Sequence, residues 1–355
     1  KIVLKTVEKL AELHYETTNP GVAFYQGKRI PELLKKFSKK VVQDVVTLKE
    51  AEDLTKEIKA EIHKFKLGRG IIGALAAIGN TLEDERTFEL IAYRVPNNWG
   101  TKRRIDEESV FRMNEFTFPK TFDNLDPTTG EIRITPHTPC PVLYGIRSEN
   151  PQVAKKAQKF VKTLEPIERW IIFKTNQATD EHLKKVKIAE IKPYCSVIVE
   201  GTVSEKPKVI TGGHIILKVK DDTGEIYCAA YEPTRQFREI VKKLTIGDIV
   251  KVCGGVKPKP ELPLTINLEK LEILKLHPII KKVNPICPKC GKRTKSAGKE
   301  KGYVCKKCKL KFPKEAEKFV EILREISPGL YEVPPRARRH LAKPTIRVSF
   351  PARVY

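Results

Sequence analysis

The first 85 residues carry apolar positions at helical spacing. One apolar stripe consists of Leu54, Ile58, Ile62 and Phe65. This spacing predicts one face of an α-helix. The glycine-containing segment 67–70 predicts the end of that helix, and the apolar run 71–79 predicts a second one. Residues 1–85 are therefore predicted to be mostly helical.

A different alternation follows in residues 86–185, where short apolar runs alternate with amphipathic segments. The predicted strands are 88–94, 131–135, 142–147 and 170–175, and the predicted helices are 107–116 and 151–164. In chain order these elements read βαββαβ, which is the ferredoxin-like arrangement.

Residues 190–275 are predicted to be β-rich. Valines at a period of two are Val197, Val199 and Val203. Segment 222–224 predicts a hairpin turn, and 247–252 and 266–274 predict further strands. A short helix at 235–244 falls between the third and fourth strands. This order is typical of an OB-fold barrel.

Four cysteines near the end of the chain have the spacing of a metal site. They are Cys287, Cys290, Cys305 and Cys308, two Cys-x-x-Cys hooks that are separated by fourteen residues. Two such hooks can place four thiolates tetrahedrally around one Zn²⁺ ion, as in a structural zinc ribbon. We assign residues 284–313 to this ribbon, and a redox role of the cysteines is the alternative.

The last segment, 314–355, is predicted to begin with a helix at 315–326 and to continue as a basic tail. The stretch 334–340 has too few apolar residues to pack by itself. Taken together, these regions predict an α+β multidomain protein.

The charge of the chain indicates a polyanionic partner. The net charge is +24 and the pI about 9.6. Residues 281–355 alone carry 21 Lys/Arg against 6 Asp/Glu. Nucleic acid is the natural partner of such a surface, and a well-solvated lysine surface is the plain alternative.

The remaining cysteines have no metal spacing. They are Cys140, Cys195, Cys228 and Cys253, and they are interpreted as buried thiols in a reducing cytoplasm. The sequence has no run of eighteen apolar residues, so we expect a cytoplasmic protein that does not span a membrane.

Three glycines, Gly68, Gly70 and Gly73, fit the G-x-G-x-x-G pattern. The segment before them is predicted to be helical, so no β-turn-α unit presents them to a dinucleotide. One interpretation is a phosphate site at the N-terminus of the next helix, with Arg69 adding charge. The other is a tight helix–helix turn in which small residues allow close packing.

Two loops carry candidate polar chemistry. Three prolines in 135–141 hold His137 and Cys140 in fixed directions, and both a catalytic Cys-His pair and a rigid loop with a buried thiol fit this pattern. Segment 175–182 is polar and ends a predicted strand, where it can present side chains to a ligand. Asp180 can equally cap a helix.

The predicted barrel carries aromatic and basic residues. Tyrosines that can stack on unpaired bases are Tyr194, Tyr227 and Tyr231. Basic residues that can line a phosphate path are Lys218, Lys220, Arg235, Lys251 and Lys257. Tyrosines in strands often serve packing instead, so both interpretations stay open for each.

Several motifs occur together along the chain. They are TNPG at 18–21, GRGIIGALAA at 68–77, FELIAYR at 88–94, PHTPCPVLYGIR at 136–147 and TNQATD at 175–180. With the barrel, the cysteine quartet and the Arg-Arg-His tail in this order, the chain resembles the archaeal tRNA-isoleucine 2-agmatinylcytidine synthetase family. The resemblance covers essentially the whole chain.

The resemblance implies a kinase-like ATP-binding domain, of which 1–85 would be a part, before the ferredoxin-like domain, the OB-fold and the zinc ribbon. It also implies a reaction on isoleucine tRNA with a CAU anticodon. ATP, held with Mg²⁺, activates the C2 carbonyl oxygen of the wobble cytidine, and the primary amine of agmatine displaces it. The products are 2-agmatinylcytidine, AMP and pyrophosphate. No obligate protein partner is evident.

The resemblance also implies site roles by position. ATP phosphates would contact Gly68, Arg69, Gly70 and Gly73. Catalytic residues would be His137, Asp180 and His182, facing one pocket with Asn176. Substrate would be bound by Glu89, Tyr93, Arg147 and Asn176, with Asp180 and Glu89 as candidate partners of the cationic amine. The tRNA would contact Tyr194, Lys218, Lys220, Tyr227, Arg235, Lys251, Arg336, Arg338 and Arg339.

One departure from the family concerns its aspartate-rich opening motif, which holds magnesium and ATP and has no counterpart at the start of this chain. The chain is therefore expected to be a fragment that binds tRNA and is inactive alone. The competing class is a non-catalytic OB-fold and zinc-ribbon protein that binds single-stranded nucleic acid. A further alternative is that the barrel and the ribbon serve protein contacts only.

Overall fold

The computed structural model describes residues 1–11, 13, 15–258, 263–298 and 300–349. Within these residues, three hydrophobic cores follow one another along the chain. No helix in this part of the chain is both long enough and apolar enough to cross a lipid bilayer.

The N-terminal region has a core made by helices. Its elements are α1 (Ile2–Leu10), β1 (Gly21–Phe24), α2 (Glu32–Gln43), α3 (Leu48–Ile58), β2 (Glu61–Lys64) and α4 (Gly70–Gly79). Buried apolar side chains of α2, α3 and α4 form the core, among them Leu34, Leu54 and Leu75. The predicted helix at 71–79 is confirmed as α4.

The predicted helix through Phe65 is wrong beyond Ile58. Lys59 adopts a left-handed φ of 54°, which ends α3. The chain then forms β2, which pairs antiparallel with β1 and places Ile62 opposite Ala23. Ile62 still packs against the same core, so its apolar spacing reflects burial in a strand rather than in a helix.

The second region is a four-stranded antiparallel sheet with two helices on one face. Its elements are β3 (Thr87–Arg94), α5 (Glu107–Thr117), β4 (Thr121–Phe122), β5 (Val142–Ser148), α6 (Pro151–Gln158) and β6 (Ile167–Thr175). The strand order is β4-β5-β3-β6, which is the ferredoxin-like topology that the sequence predicted. The face opposite the helices is left open.

The second strand of this sheet is β4 and not the predicted segment 131–135. That segment has only an isolated bridge between Leu125 and Ile132. Ile134 is buried in the core, and its carbonyl accepts a hydrogen bond from the Gly145 amide. These apolar residues pack from an irregular loop, which periodicity alone does not distinguish from a strand. The predicted helix 151–164 is shorter and ends at Gln158.

The third region is a closed barrel. Its elements are β7 (Leu183–Lys185), β8 (Ser196–Ile210), β9 (His214–Lys220), β10 (Glu225–Ala230), α7 (Gln236–Lys242), β11 (Ile249–Val256) and β12 (Thr265–Lys275). β8, β9 and β10 pair in succession, β10 pairs parallel with β12, and β11 joins β12 to β8. With α7 between the third and fourth barrel strands, the predicted OB-fold is confirmed.

The C-terminal elements are β13 (Ile279–Val283), β14 (Lys295–Ser296), β15 (Tyr303–Val304), β16 (Lys311–Phe312), β17 (Lys318–Ile322), β18 (Gly329–Glu332) and α8 (Thr345–Ser349). The predicted helix at 315–326 is wrong, because β17 pairs antiparallel with β13. This pairing gives the backbone groups of both strands partners. β14, β15 and β16 form a separate small sheet.

The segment after β17 does not pack by itself, but it packs on the other regions. β18 extends the barrel by pairing with β12. Val333 and Ala342 are buried, and the guanidinium of Arg347 forms an ion pair with Glu149. The basic tail therefore packs against both the ferredoxin-like region and the barrel, because those regions supply the apolar and acidic surface that the tail itself lacks.

Candidate functional site

A cavity of about 440 Å³ opens between the C-terminal end of α4 and the open face of the ferredoxin-like sheet. Because side chains alternate along β3, Leu90 and Ala92 enter the core. The residues between and beside them face the cavity. Its lining includes Ala77, Asn80, Glu89, Ile91, Tyr93, Phe173, Asn176 and Gln177. We call this space the sheet cavity.

The carboxylate of Glu89 is held in a defined position in the sheet cavity. Gln177 Nε2 donates to Glu89 Oε2 at 2.7 Å, and Arg147 Nε lies 3.4 Å from Glu89 Oε1. A Cβ at Gly145 would stand only 3.1 Å from that same oxygen. The glycine thus lets the carboxylate lie across the neighbouring strand. The structure brings Glu89, Tyr93 and Asn176 to one cavity and places Arg147 behind it.

Two other lining side chains are also fixed by neighbours. The guanidinium carbon of Arg169 lies 4.7 Å from the centroid of the Tyr93 ring, in a cation–π contact. Asn176 Nδ2 donates to Glu181 Oε2 at 2.8 Å. The cavity therefore combines an anchored carboxylate, an aromatic face and an oriented amide. This set can bind an organic cation or a flat polar ring.

The glycine motif combines close packing with an open surface. A Cβ at Gly70 would lie 2.2 Å from the Asn19 carbonyl oxygen and 2.3 Å from the Gly21 nitrogen. A Cβ at Gly73 would meet nothing within 4 Å. Gly70 thus serves packing, whereas Gly73 presents exposed backbone together with the exposed side chain of Arg69.

Gly73 lies on the same face of α4 as two residues that line the sheet cavity. Ala77 and Asn80 follow it at intervals of four and three residues, which return to one side of a helix. The packing interpretation therefore fits Gly70, and the phosphate site stays a prediction, with Gly73 as its candidate residue. The open face of α4 leads from its N-terminal turn towards the cavity.

The predicted catalytic residues His137, Asp180 and His182 do not share a pocket. The His137 side chain is 67% exposed, and it lines a different cavity of about 490 Å³. His182 is 1% exposed, and its Nε2 lies 3.0 Å from Glu269 Oε2 in the barrel. Its imidazole is therefore enclosed between the two regions and does not line the sheet cavity.

Asp180 joins the same junction. Its carboxylate forms an ion pair with Lys270 and accepts a hydrogen bond from the Lys343 amide at 2.7 Å. These contacts tie the ferredoxin-like region to the barrel and to the tail. The expectation that the three residues face one substrate pocket is therefore corrected. Asp180 and His182 lie at the junction between the ferredoxin-like region and the barrel, whereas His137 is exposed at a separate cavity.

The loop at 135–141 is rigid, and Arg103 is the main reason. Its guanidinium donates to the carbonyl oxygens of Pro136, Thr138, Cys140 and Val142. Burial opposes ionisation of the Cys140 thiol, but hydrogen bonds from the loop and the Arg103 charge outweigh it and lower its pKa. His137 contacts Arg133 rather than this thiol, so a catalytic Cys-His pair is not formed.

A second candidate surface lies on the barrel. A cavity of about 440 Å³ is lined by Tyr194, Tyr231, Lys257, Asn267 and Arg339, among others. Tyr194 is 68% exposed, with a left-handed φ of 68°. Arg339 donates to Ser196 Oγ and to Glu269 Oε1 while its side chain stays about half exposed. This barrel cavity can offer an aromatic platform beside positive charge.

The carboxyl of Glu269 is the acidic centre of that surface. Burial opposes its ionisation, but the hydrogen bond to His182 and the charge of Arg339 outweigh burial and hold its pKa below the usual range. The carboxylate thereby joins the barrel cavity to the junction with the ferredoxin-like region.

Two lysines that are predicted to contact nucleic acid have acidic partners within the protein. Lys218 Nζ lies 2.9 Å from Glu205 and 2.7 Å from Glu225. It also stands 5.4 Å from the centroid of the Tyr227 ring, and Lys251 pairs with Glu272. These acidic partners offset the charges of Lys218 and Lys251 within the protein, and the phosphate contacts of both lysines stay predictions.

The remaining basic candidates differ in their accessibility. Lys220 and Arg235 are exposed, and Arg336 is half-buried. Arg338 is 7% exposed and pairs with Asp123 and Glu332. Its predicted contact with nucleic acid is therefore corrected: its charge holds the tail in place.

The four ribbon cysteines form a cluster that fits Zn²⁺. Their Sγ atoms all lie within 4.8 Å of one another. The two hooks are built alike. The Gly291 amide donates to the Cys287 carbonyl, the Lys309 amide donates to the Cys305 carbonyl, and both donors have positive φ. Four converging thiolates are the ligand set of a structural zinc site.

Three family models match the chain. The TiaS FLD domain matches residues 68–182, an OB-fold nucleic acid binding domain matches 197–274, and the TiaS C-terminal zinc ribbon domain matches 284–326. Among relatives, the tRNA(Ile2) 2-agmatinylcytidine synthetase TiaS of Methanocaldococcus jannaschii is 47% identical over 346 residues, which are 97% of this chain and 80% of the relative. The chain belongs to this family. The Pyrococcus horikoshii enzyme of the same name is also 47% identical, over 98% of this chain and 80% of its own length.

Solved structures of TiaS have the same fold. Apo TiaS superposes with a TM-score of 0.88 at 44% identity, covering 98% of this chain and 81% of that one. The complex of TiaS with tRNA(Ile2), AMPCPP and agmatine has a TM-score of 0.85 at 41% identity, covering 99% of this chain and 82% of that one. The ferredoxin-like region, barrel and ribbon are thus those of the TiaS family, and the cysteine cluster is the zinc site of its ribbon.

The sequence did not single out every residue that shapes these surfaces. Gln177, which anchors Glu89, lies inside the polar segment 175–182, but its partner is 88 positions away. Arg103 and Asp123 carried no motif. Their roles arise from contacts with residues 37 and 215 positions away in the chain, respectively.

Proposed function

We propose that this protein attaches agmatine to the wobble cytidine of isoleucine tRNA with a CAU anticodon, using ATP to activate the C2 carbonyl oxygen. The main support for this function is that nearly the whole chain matches members of the TiaS family. Relatives of the same fold were solved with tRNA(Ile2) and ATP and with tRNA(Ile2), AMPCPP and agmatine. A purely non-catalytic binding protein would not account for the ferredoxin-like region.

The sheet cavity is the proposed site of the amine and of the target base. Agmatine is a dication, and the anchored carboxylate of Glu89 can pair with one of its ends. The aromatic ring of Tyr93 and the amide of Asn176 lie in the same cavity, where they can contact the cytosine ring. A base must leave its stack to enter such a cavity.

The N-terminal turn of α4 is the proposed phosphate-binding part of the ATP site. The exposed backbone at Gly73 and the side chain of Arg69 favour an anion near the positive end of the helix dipole. We further propose that 1–85 belongs to a kinase-like ATP-binding domain. Among the described residues, the cysteine cluster is the only group of three or more His, Cys, Asp or Glu side chains that could hold a metal ion.

The barrel cavity and the ribbon are the proposed tRNA contacts. Tyr194 and Arg339 border the barrel cavity, and the ribbon carries dense lysines around its zinc site. Zn²⁺ supplies a fold for a segment with few buried apolar residues. We place the protein in the cytoplasm because its free cysteines fit a reducing compartment.

The test is mass spectrometry of CAU-anticodon isoleucine tRNA after incubation with full-length enzyme, ATP and agmatine. A mass gain confined to the wobble cytidine, dependent on both small molecules, is the expected result. Glu89→Gln should raise the KM for agmatine while tRNA binding persists, and Glu115→Gln, at an exposed position of α5 on the other side of the sheet, is the matched control. No mass gain despite tight tRNA binding would refute the proposed reaction.

A further inference from the structure

A line of charged side chains joins the C-terminal segment to the sheet cavity. Their signs alternate in the order Glu332, Arg338, Asp123, Arg147 and Glu89. Arg338 Nη2 lies 2.7 Å from Glu332 Oε1, and Arg338 Nη1 bonds to Asp123. Arg147 then stands 3.6 Å from Asp123 Oδ2 and 3.4 Å from Glu89 Oε1. We call this line the charge array.

The charge array is shielded and held in place. Each of its side chains is at most 18% exposed, so salt and water screen the charges weakly. Asp123 follows β4 with a left-handed φ of 57°, a conformation that Asp and Asn tolerate well. This turn directs its carboxylate between the two arginines.

A further contact at Arg147 comes from the tail. Arg147 Nη2 lies against His340 Nδ1. Burial and the neighbouring Arg147 charge lower the pKa of His340, so the neutral ring accepts a hydrogen bond from the guanidinium. Of the tail residues, His340 thus contacts Arg147 directly, and Arg338 contacts Asp123, the acidic partner of Arg147.

Building on the proposed amine site, we propose that Asp123 and Arg338 are positioning residues that set how much of the Glu89 charge is available to the cationic amine. Arg147 is shared between Asp123 and Glu89 at nearly equal distances. The more tightly it pairs with Asp123, the less it neutralises Glu89. Neither Asp123 nor Arg338 lines the sheet cavity, so each acts through Arg147.

The alternation of charge predicts opposite effects for neighbouring substitutions. Asp123→Asn removes the competing carboxylate, so Arg147 moves its charge to Glu89 and agmatine binds more weakly. Arg338→Gln removes the cation that occupies Asp123, so Asp123 attracts Arg147 and leaves Glu89 more negative. We expect the KM for agmatine to rise about tenfold in the first variant, which corresponds to about 1.4 kcal/mol, and to fall about threefold in the second.

The experiment measures kcat and the KM values for agmatine and ATP in full-length enzyme, together with the agmatine Kd by calorimetry. The KM for ATP and the tRNA affinity should stay within about twofold in both variants. The double variant Asp123→Asn/Arg338→Gln should return the agmatine KM towards the wild-type value. If Arg338→Gln does not fold, Glu332→Gln, one step further along the array, should raise the agmatine KM.

The outcomes separate this inference from the proposed function. Agmatine KM values that move in the same direction in Asp123→Asn and Arg338→Gln, or in neither, overturn the inference, because a merely structural role weakens both variants alike. If one of these results is obtained while Glu89→Gln still raises the KM for agmatine, only this inference fails and the proposed amine site stands. An unchanged KM in Glu89→Gln refutes the amine site and this inference with it.

Discussion

Gly73→Ala separates a phosphate-binding glycine from a packing glycine. Gly73 lies inside α4, where alanine is favoured over glycine by about 0.5–1 kcal/mol. The added Cβ would meet nothing within 4 Å, so no repulsion offsets this gain. We therefore expect an unchanged or slightly higher melting temperature. If backbone at Gly73 approaches the ATP phosphates, the added methyl group should raise the KM for ATP roughly tenfold, which corresponds to about 1.4 kcal/mol.

The matched control is Gly70→Ala on the same helix. Its Cβ would lie 2.2 Å from the Asn19 carbonyl oxygen, which forces the backbone at Gly21 to move. Such overpacking costs roughly 1–3 kcal/mol, so this variant should melt at a lower temperature. Thermal unfolding followed by circular dichroism and steady-state kinetics at varied ATP make both comparisons. A Gly73→Ala enzyme with wild-type KM for ATP would refute the phosphate assignment, and a stable Gly70→Ala protein would refute the packing assignment.

Three further predictions concern the metal, the pH dependence and the tRNA surface. Removing Zn²⁺ with a chelator, or changing Cys305 to Ser, should unfold the ribbon and weaken tRNA binding in a filter assay. The far-ultraviolet circular dichroism signal of the barrel should persist. Unchanged tRNA affinity would contradict a contact between the ribbon and tRNA. Because the pKa of Glu269 is lowered in the folded protein, its stabilisation is present above the ordinary pKa near 4.5 and is lost as the pH falls through the folded value. Glu269→Gln should therefore cost about 2 kcal/mol at pH 7 in urea unfolding. The difference should shrink as the pH falls below the ordinary carboxyl pKa of 4.5, and an equal deficit at pH 7 and at low pH would contradict the role of the Glu269 charge in its contacts with His182 and Arg339. Tyr194→Ala should weaken tRNA binding by about 1–3 kcal/mol if a base stacks on it, whereas Tyr227→Phe, which keeps the ring under Lys218, should leave binding unchanged.

Local sequence patterns correctly predicted a helix or strand where all residues of the apolar pattern belong to the same helix or strand. The run that became α4 is apolar on all sides and has no strong breaker, and the strands of the barrel alternate at a period of two. The stripe from Leu54 to Phe65 failed as one helix, because Lys59 reverses the chain and Ile62 meets the same core from a strand. The segment 318–322 forms a strand instead of the predicted helix, because its backbone hydrogen-bonds to β13.

The candidate site was predictable in its motifs and much less in its roles. Glu89 and Asn176 were singled out and do meet in the sheet cavity. His182 and Asp180 lie in the same polar segment as Asn176, yet their partners are Glu269 and Lys270 of the barrel. A polar side chain signals that it needs a partner, but the sequence around it does not say whether that partner is a ligand or another part of the protein.

The sequence alone determined the features that rest on short spacing. The cysteine hooks define a metal site because each pair of ligands is only three positions apart, and the motifs in combination identified the family. The tertiary structure decided which charges remain available. Lys218 and Arg338 both count as cations in the sequence, but each forms an ion pair with an acidic residue of another segment of the fold. The physical reason is that burial and ion pairing depend on contacts between neighbouring strands and between distant segments, and only the folded protein brings these side chains together.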